Sequence, residues 1–154
     1  VNAATRATIA SLISAGEIER VPVDKEVITN LLRQAGNHLR TAAAGAADDD
    51  PEGAFQLAYD ACRKTSLALV MATGLRPKGQ SAHVTTFDAA AAIASNFGGR
   101  QIVTDAAQLR YVRHGAECRA ETVSAADVED ALALGDELLK ALRSAIDQIL
   151  QASS

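Results

Sequence analysis

The chain has 154 residues, a formal net charge of −4 and no tryptophan. The length suits one domain with a sizeable core, and the acidic balance argues against a general DNA-coating role, which needs a basic footprint, while leaving room for a small local basic site. Three Phe and two Tyr carry little of the apolar weight. It rests on Ala, Leu, Ile and Val, a composition that favours closely packed helices over a large sheet.

In chain order, residues 4–15 read as a short helix that ends near Gly16, and residues 17–23 as a connection. Asp24 is a good N-cap for a second helix, with Val27, Leu31, Ala35 and Leu39 along one face and a fade in the stretch 41–45. Asp50 before Pro51 caps a third helix that runs to about Thr73. There Phe55, Cys62 and Leu69 repeat at seven as a buried stripe. A turn over Gly74–Gly79 precedes a fourth helix from His83 to Phe97, which Gly98 and Gly99 stop. A fifth covers about Val103 to Arg119.

Ser124 and Asp127 have capping-box spacing and open a last helix to about Gln151. Its apolar stripe holds Val128, Leu132, Leu138, Leu142, Ala145 and Ile149. Gly135, inside that helix, costs about 1 kcal/mol against Ala and marks a close helix crossing. No linker or internal repeat divides these parts, so a single all-α domain over 1–154 is expected.

Several polar stretches have plain structural readings. Asp48-Asp49-Asp50 with Glu52 is a solvated loop and cap, without the ligand spread and glycine of a calcium loop. Gly74-Leu75-Arg76-Pro77-Lys78-Gly79 lacks the spacing of a nucleotide loop and reads as a helix-ending turn. Asp60 and Lys64 form an exposed i,i+4 pair, and Tyr59 is half-buried. His38, His83 and His114 are widely separated along the chain and make no metal-binding spacing, so neither metal nor cofactor is expected. Cys62 and Cys118 fit no zinc pattern and read as reduced core cysteines. No signal peptide and no apolar run of membrane length is found, so a cytoplasmic protein away from membranes is expected.

The segment Leu109-Arg110-Tyr111-Val112-Arg113-His114-Gly115-Ala116-Glu117-Cys118 concentrates the chemistry. Arg110 and Arg113 could clamp phosphate oxygens. His114 could donate a hydrogen bond or shuttle a proton near neutral pH. His83 would complete a polar pocket beside them. The bland alternative is a surface network of these arginines with Glu117.

At this stretch the chain resembles the HEPN superfamily, in particular a small actinobacterial helical branch of it. The resemblance covers nearly the whole chain. It rests on Gly16-Glu17-Ile18-Glu19-Arg20-Val21, on Leu31-Leu32-Arg33-Gln34-Ala35-Gly36-Asn37-His38-Leu39, most of all on Asp50-Pro51-Glu52-Gly53-Ala54-Phe55-Gln56-Leu57-Ala58-Tyr59-Asp60-Ala61-Cys62-Arg63-Lys64, and on Gly74-Leu75-Arg76-Pro77 followed by His83. It implies an up-and-down four-helix bundle with additional short helices, and a homodimer. Active members are metal-independent RNases, often toxins of toxin–antitoxin pairs. Their motif is an Arg, a polar residue and, a few residues on, a catalytic His. Arg113 matches the Arg and His114 the polar residue, whereas Cys118 stands where the His of the shortest spacing would be. A thiol with an ordinary pKa of about 8.5 does not replace an imidazole there.

The expectation is therefore a non-catalytic binding or interaction module. Arg110, Arg113, His114 and His83 would serve a nucleotide, RNA, or a separately encoded nucleotidyltransferase partner. Two alternatives stand beside it. One is a metal-independent RNase or toxin that uses Arg113 and His114 as catalytic groups, with an antitoxin as partner. The other is a structural homodimer.

Overall fold

The computed structural model describes residues 1–118 and 122–154, with side chains for all of these except 116–118. It is all-α in architecture, with six packed helices: α1 (Ala3–Ser14), α2 (Lys25–Ala47), α3 (Pro51–Ala72), α4 (Ala82–Ala94), α5 (Arg100–Cys118) and α6 (Ala125–Ala152). A 3-10 turn, Ser95–Phe97, closes α4, and Gly98 then takes a left-handed φ of 73°. Two three-residue strands, β1 (Ile18–Arg20) and β2 (Leu75–Pro77), pair antiparallel in the register Ile18 to Pro77, Glu19 to Arg76 and Arg20 to Leu75. This ladder stands where a connection and a turn were expected. No helix among the described residues is long and apolar enough to cross a membrane.

The helix starts follow local chemistry. Asp24 Oδ1 accepts from the backbone N–H groups of Glu26 and Val27. Asp50 accepts from Gly53 N at 3.0 Å, with Pro51 at the first helical position. Ser124 and Asp127 complete a reciprocal capping box, since Asp127 N donates to Ser124 Oγ and Ser124 N donates to Asp127 Oδ2.

At the centre lies α3, packed against α2, α4, α5 and α6. Its heptad stripe of Phe55, Cys62 and Leu69 is buried throughout, as are Ala58, Tyr59, Thr65 and Ser66. Each large apolar side chain so buried contributes about 1.5–3 kcal/mol. The alanines on α3 and α4 let the helices approach closely.

On α2 the buried face is Ile28, Leu32, Ala35, Leu39 and Ala42, rotated from the expected Val27 stripe. Val27 itself is 38% exposed. Two adjacent apolar residues near the helix start permit either stripe, and the one that continues to Ala42 faces the core. The helix also runs on through 41–47, because alanine sustains it and Gly45 brings its backbone against Ala54 of α3. The α2–α6 crossing occurs at Gly135, where an added Cβ would lie 2.5 Å from Leu39 Cδ2. Glycine is needed there for room, as its place inside the helix indicated.

Candidate functional site

The fold joins its long helices into two antiparallel hairpins, and each brings distant polar residues level. His38 on α2 and Asp60 on α3 are equidistant from Asp49 in the first hairpin's turn. His83 on α4 and Arg113 on α5 are equidistant from Gly98 in the second. Since α3 packs on both α4 and α5, His83 comes within the electrostatic reach of Arg113 and of Arg63 and Asp60 on α3.

Asp60 is the anionic centre. Arg63 Nε and Nη2 donate to its Oδ1 at 3.2 and 2.9 Å. Lys64 Nζ lies 3.3 Å and His38 Nε2 3.2 Å from its Oδ2. The expected exposed Asp60–Lys64 pair is thus a half-buried, four-membered cluster, with Lys64 only 16% exposed. Burial opposes charge on Asp60. The hydrogen bonds and positive charges of Arg63 and Lys64 outweigh it and hold the carboxyl below its ordinary value.

Arg113 enters from α5 half-buried, its guanidinium 5.2 Å from the ring centroid of Tyr59. Tyr59 is buried rather than half-buried and packs on Phe87 of α4 at a centroid distance of 6.0 Å. Burial pushes the Tyr59 phenol up, against the pull of the Arg113, Arg110 and Arg63 charges. His83 is depressed by burial and then by the charges of Arg63 and Arg113, with Asp60 acting the other way. Arg110 Nη2 donates to its neighbour Tyr111 Oη at 2.9 Å, and the guanidinium sits 4.9 Å from that ring's centroid. Tyr111 is 58% exposed.

Of the residues singled out in the sequence, the structure brings Arg113 and His83 into one electrostatic neighbourhood and adds Arg110 at its edge. Arg113 and His114 are successive residues, about 100° apart around the helix. Arg113 turns to Tyr59 while His114 is exposed. The side chains of Glu117 and Cys118 lie outside the described residues, so the proposed arginine–Glu117 network and the Cys118 motif position have no structural account. Sequence reasoning missed His38 and Arg63 as members. The available signal was the hairpin count about Asp49, which places position 38 across from position 60.

Cys62 is a free, buried thiol pushed up to about 12 by burial, and so inert as a nucleophile. Among the described residues no group of three or more His, Cys, Asp or Glu is placed to hold a metal ion. The cluster instead offers guanidinium, ammonium and imidazole groups around one carboxylate, a donor set suited to an anion. No protein-family model matches the chain, and neither does any curated protein or solved structure.

Proposed function

We propose that this protein is a non-catalytic, HEPN-like binding module that holds the phosphate of a nucleotide or RNA on the face shared by α3, α4 and α5. The supporting observation is the gathering of Arg63, Lys64 and His38 about Asp60 and of Arg113 and Arg110 about the adjacent Tyr59, with His83 in the field of Arg63 and Arg113, in a chain of net charge −4. Among the described residues Asp88 is a further acidic group, near Arg110. Among the described residues these basic groups gather on one face, which raises the local potential that an anion meets there. Tyr59 beneath Arg113 and Tyr111 beside Arg110 set the two guanidiniums in place.

In this reading the helices form the up-and-down four-helix bundle of the HEPN resemblance with short additions. The partners are a second copy of the chain and a separately encoded nucleotidyltransferase or antitoxin. Cys118, in place of the motif histidine, is the reason to assign binding rather than cleavage. One observation favours the alternative of a metal-independent RNase. His83, whose titration is lowered by burial and then by the charges of Arg63 and Arg113, is favoured in its neutral form, the form that can accept a proton from a ribose hydroxyl.

The test is fluorescence anisotropy with labelled single-stranded RNA in EDTA, with gel analysis of the same samples. The expected result is salt-sensitive binding of intact RNA, weakened at least tenfold by Arg113→Ala and by Arg63→Ala. RNA cleavage that disappears in His83→Ala or His114→Ala would establish the nuclease reading instead. Binding that neither arginine variant changes would sink both.

A further inference from the structure

A second site lies where α1 crosses the end of α4 beside the β1–β2 ladder, and it shares no residue with the Asp60 cluster. Thr5 Oγ1 donates to the Ala92 carbonyl at 2.7 Å, and Asn2 N donates to Asn96 Oδ1 at 2.8 Å, so α1 is pinned to the end of α4. The ladder holds β1 and the residues after α3 close by. Between them is a cavity of about 400 Å3, with apolar walls from Ile9, Leu75 and Ile93. That volume falls within the range of about 300–1,000 Å3 typical of small-molecule pockets.

The charged side chains of this cavity are cationic among the described residues. Arg6 and Arg20 both line it, and among the described residues no Asp or Glu does. Alternation along β1 explains this. Successive side chains point to opposite faces of a strand, so Glu19 is directed to Arg76 and Lys78, with Arg76 Nη2 2.6 Å from Glu19 Oε1. Arg20 is turned the other way, toward the cavity, and its side chain makes no hydrogen bond or ion pair with the described residues. Arg6 Nη1 donates to the Val1 carbonyl, which is neutral, and Arg6 likewise has no ion pair with the described residues. Of the hydroxyls, Thr5 and Thr73 direct their protons to the Ala92 and Val70 carbonyls, which leaves the guanidiniums to donate to an anion.

We infer that this cavity binds a small organic acid: a carboxylate head held by Arg20 and Arg6, and an apolar body laid against Ile9, Leu75 and Ile93. A guanidinium grips a carboxylate through paired N–H donors, while an apolar wall rewards a body that a free phosphate or a sugar lacks. This inference is independent of the Asp60 cluster and survives or fails separately from it.

The probes are decanoate, 1-naphthoate and decanol, titrated into the full chain by calorimetry, with amide shifts followed at Ile9, Leu75 and Ile93. The expected result is one site per chain for at least one of the two acids, and decanol binding at least tenfold more weakly. Arg20→Gln, at an exposed strand position, should weaken the acid about tenfold or more. Ile9→Trp should fill the cavity and abolish binding. Preference for decanoate or for 1-naphthoate identifies a chain-like or a ring-like body. The inference is overturned if neither acid binds, if decanol binds as well as the acids, or if Arg20→Gln leaves acid affinity unchanged.

Discussion

His38 Nε2 lies 3.2 Å from Asp60 Oδ2, across the α2–α3 hairpin, on the oxygen that Lys64 also approaches. Arg63 takes the other oxygen. A single carboxylate therefore ties two helices together and holds Arg63 and Lys64, two cations that would otherwise repel each other.

Removing that charge has two opposite consequences. Asp60→Asn leaves Arg63 and Lys64 half-buried without a counter-charge, and should cost about 1–3 kcal/mol in urea unfolding at neutral pH. It also raises the positive potential of the face, so RNA affinity should increase in the same variant. The pH dependence follows from the depressed carboxyl, where burial is outweighed by Arg63 and Lys64. A group with a lowered folded pKa contributes stability above its unfolded value, about 3.9, and loses it as pH falls through the folded value. The stability gap between wild type and Asp60→Asn should therefore be full at neutral pH and close in acid. A gap that does not narrow as the pH falls would show that packing, not charge, is what the variant disturbs.

Gly135→Ala probes the α2–α6 crossing. The new Cβ would lie 2.5 Å from Leu39 Cδ2, and Leu39 is itself buried. Overpacking of this kind costs about 1–3 kcal/mol, against roughly 1 kcal/mol gained from alanine's better helix propensity. A net loss of about 1 kcal/mol is expected in thermal or urea unfolding. Pairing it with Leu39→Val should relieve part of the clash, which shows as non-additivity between the two changes. A stabilised Gly135→Ala would mean that the crossing has room to spare.

What the sequence revealed was local. Asp24, Asp50 and Ser124 were readable as caps because a cap is a matter of one side chain and the next three N–H groups. Phe55, Cys62 and Leu69 were readable because a heptad repeats within one helix. The β1–β2 ladder was not, since three residues are too few for alternation to show and Glu19 pairs with Arg76 far along the chain. Nor was the Asp60 cluster. Asp60 and Lys64 have the spacing of an ordinary surface pair, and only their packing against α2 adds His38 and removes them from solvent. Arg113 was singled out from its sequence neighbours, but its ring partner, Tyr59, comes from a different helix.

Cys62 should be silent to thiol reagents in the folded protein. It is buried and its thiol is pushed up to about 12, so the reactive thiolate is scarce as well as inaccessible. In a Cys118→Ser background, labelling at pH 8 should track unfolding, slow in buffer and fast in urea. Rapid labelling under native conditions would show that α3 opens locally.

Ser66 is fully buried on α3, and its Oγ has no hydrogen-bond partner among the described residues. An unsatisfied hydroxyl in the core costs about 1–3 kcal/mol, and alanine is the better helix former. Ser66→Ala should therefore stabilise the protein by roughly 1 kcal/mol, read as a higher urea midpoint at an unchanged slope. A destabilised variant would mean that the hydroxyl has a partner, such as a buried water.

His83 tests whether the second hairpin places α4 and α5 in register. Its imidazole is depressed first by burial and then by the charges of Arg63 and Arg113, partly offset by Asp60. NMR titration should put its midpoint below the ordinary value of about 6.5. Because the unfolded chain takes up this proton more readily, the contribution of His83 to stability is complete above the unfolded pKa and is lost as pH falls through the folded one. Arg113→Gln removes one of the two opposing charges and should move the midpoint upward, while Asp60→Asn removes the carboxylate and should move it down. The opposite signs of the two shifts exclude a general loosening of the bundle, which would carry both midpoints toward the unfolded value. An unmoved midpoint in Arg113→Gln would place His83 and Arg113 out of each other's reach, and would remove the imidazole from any role beside that guanidinium.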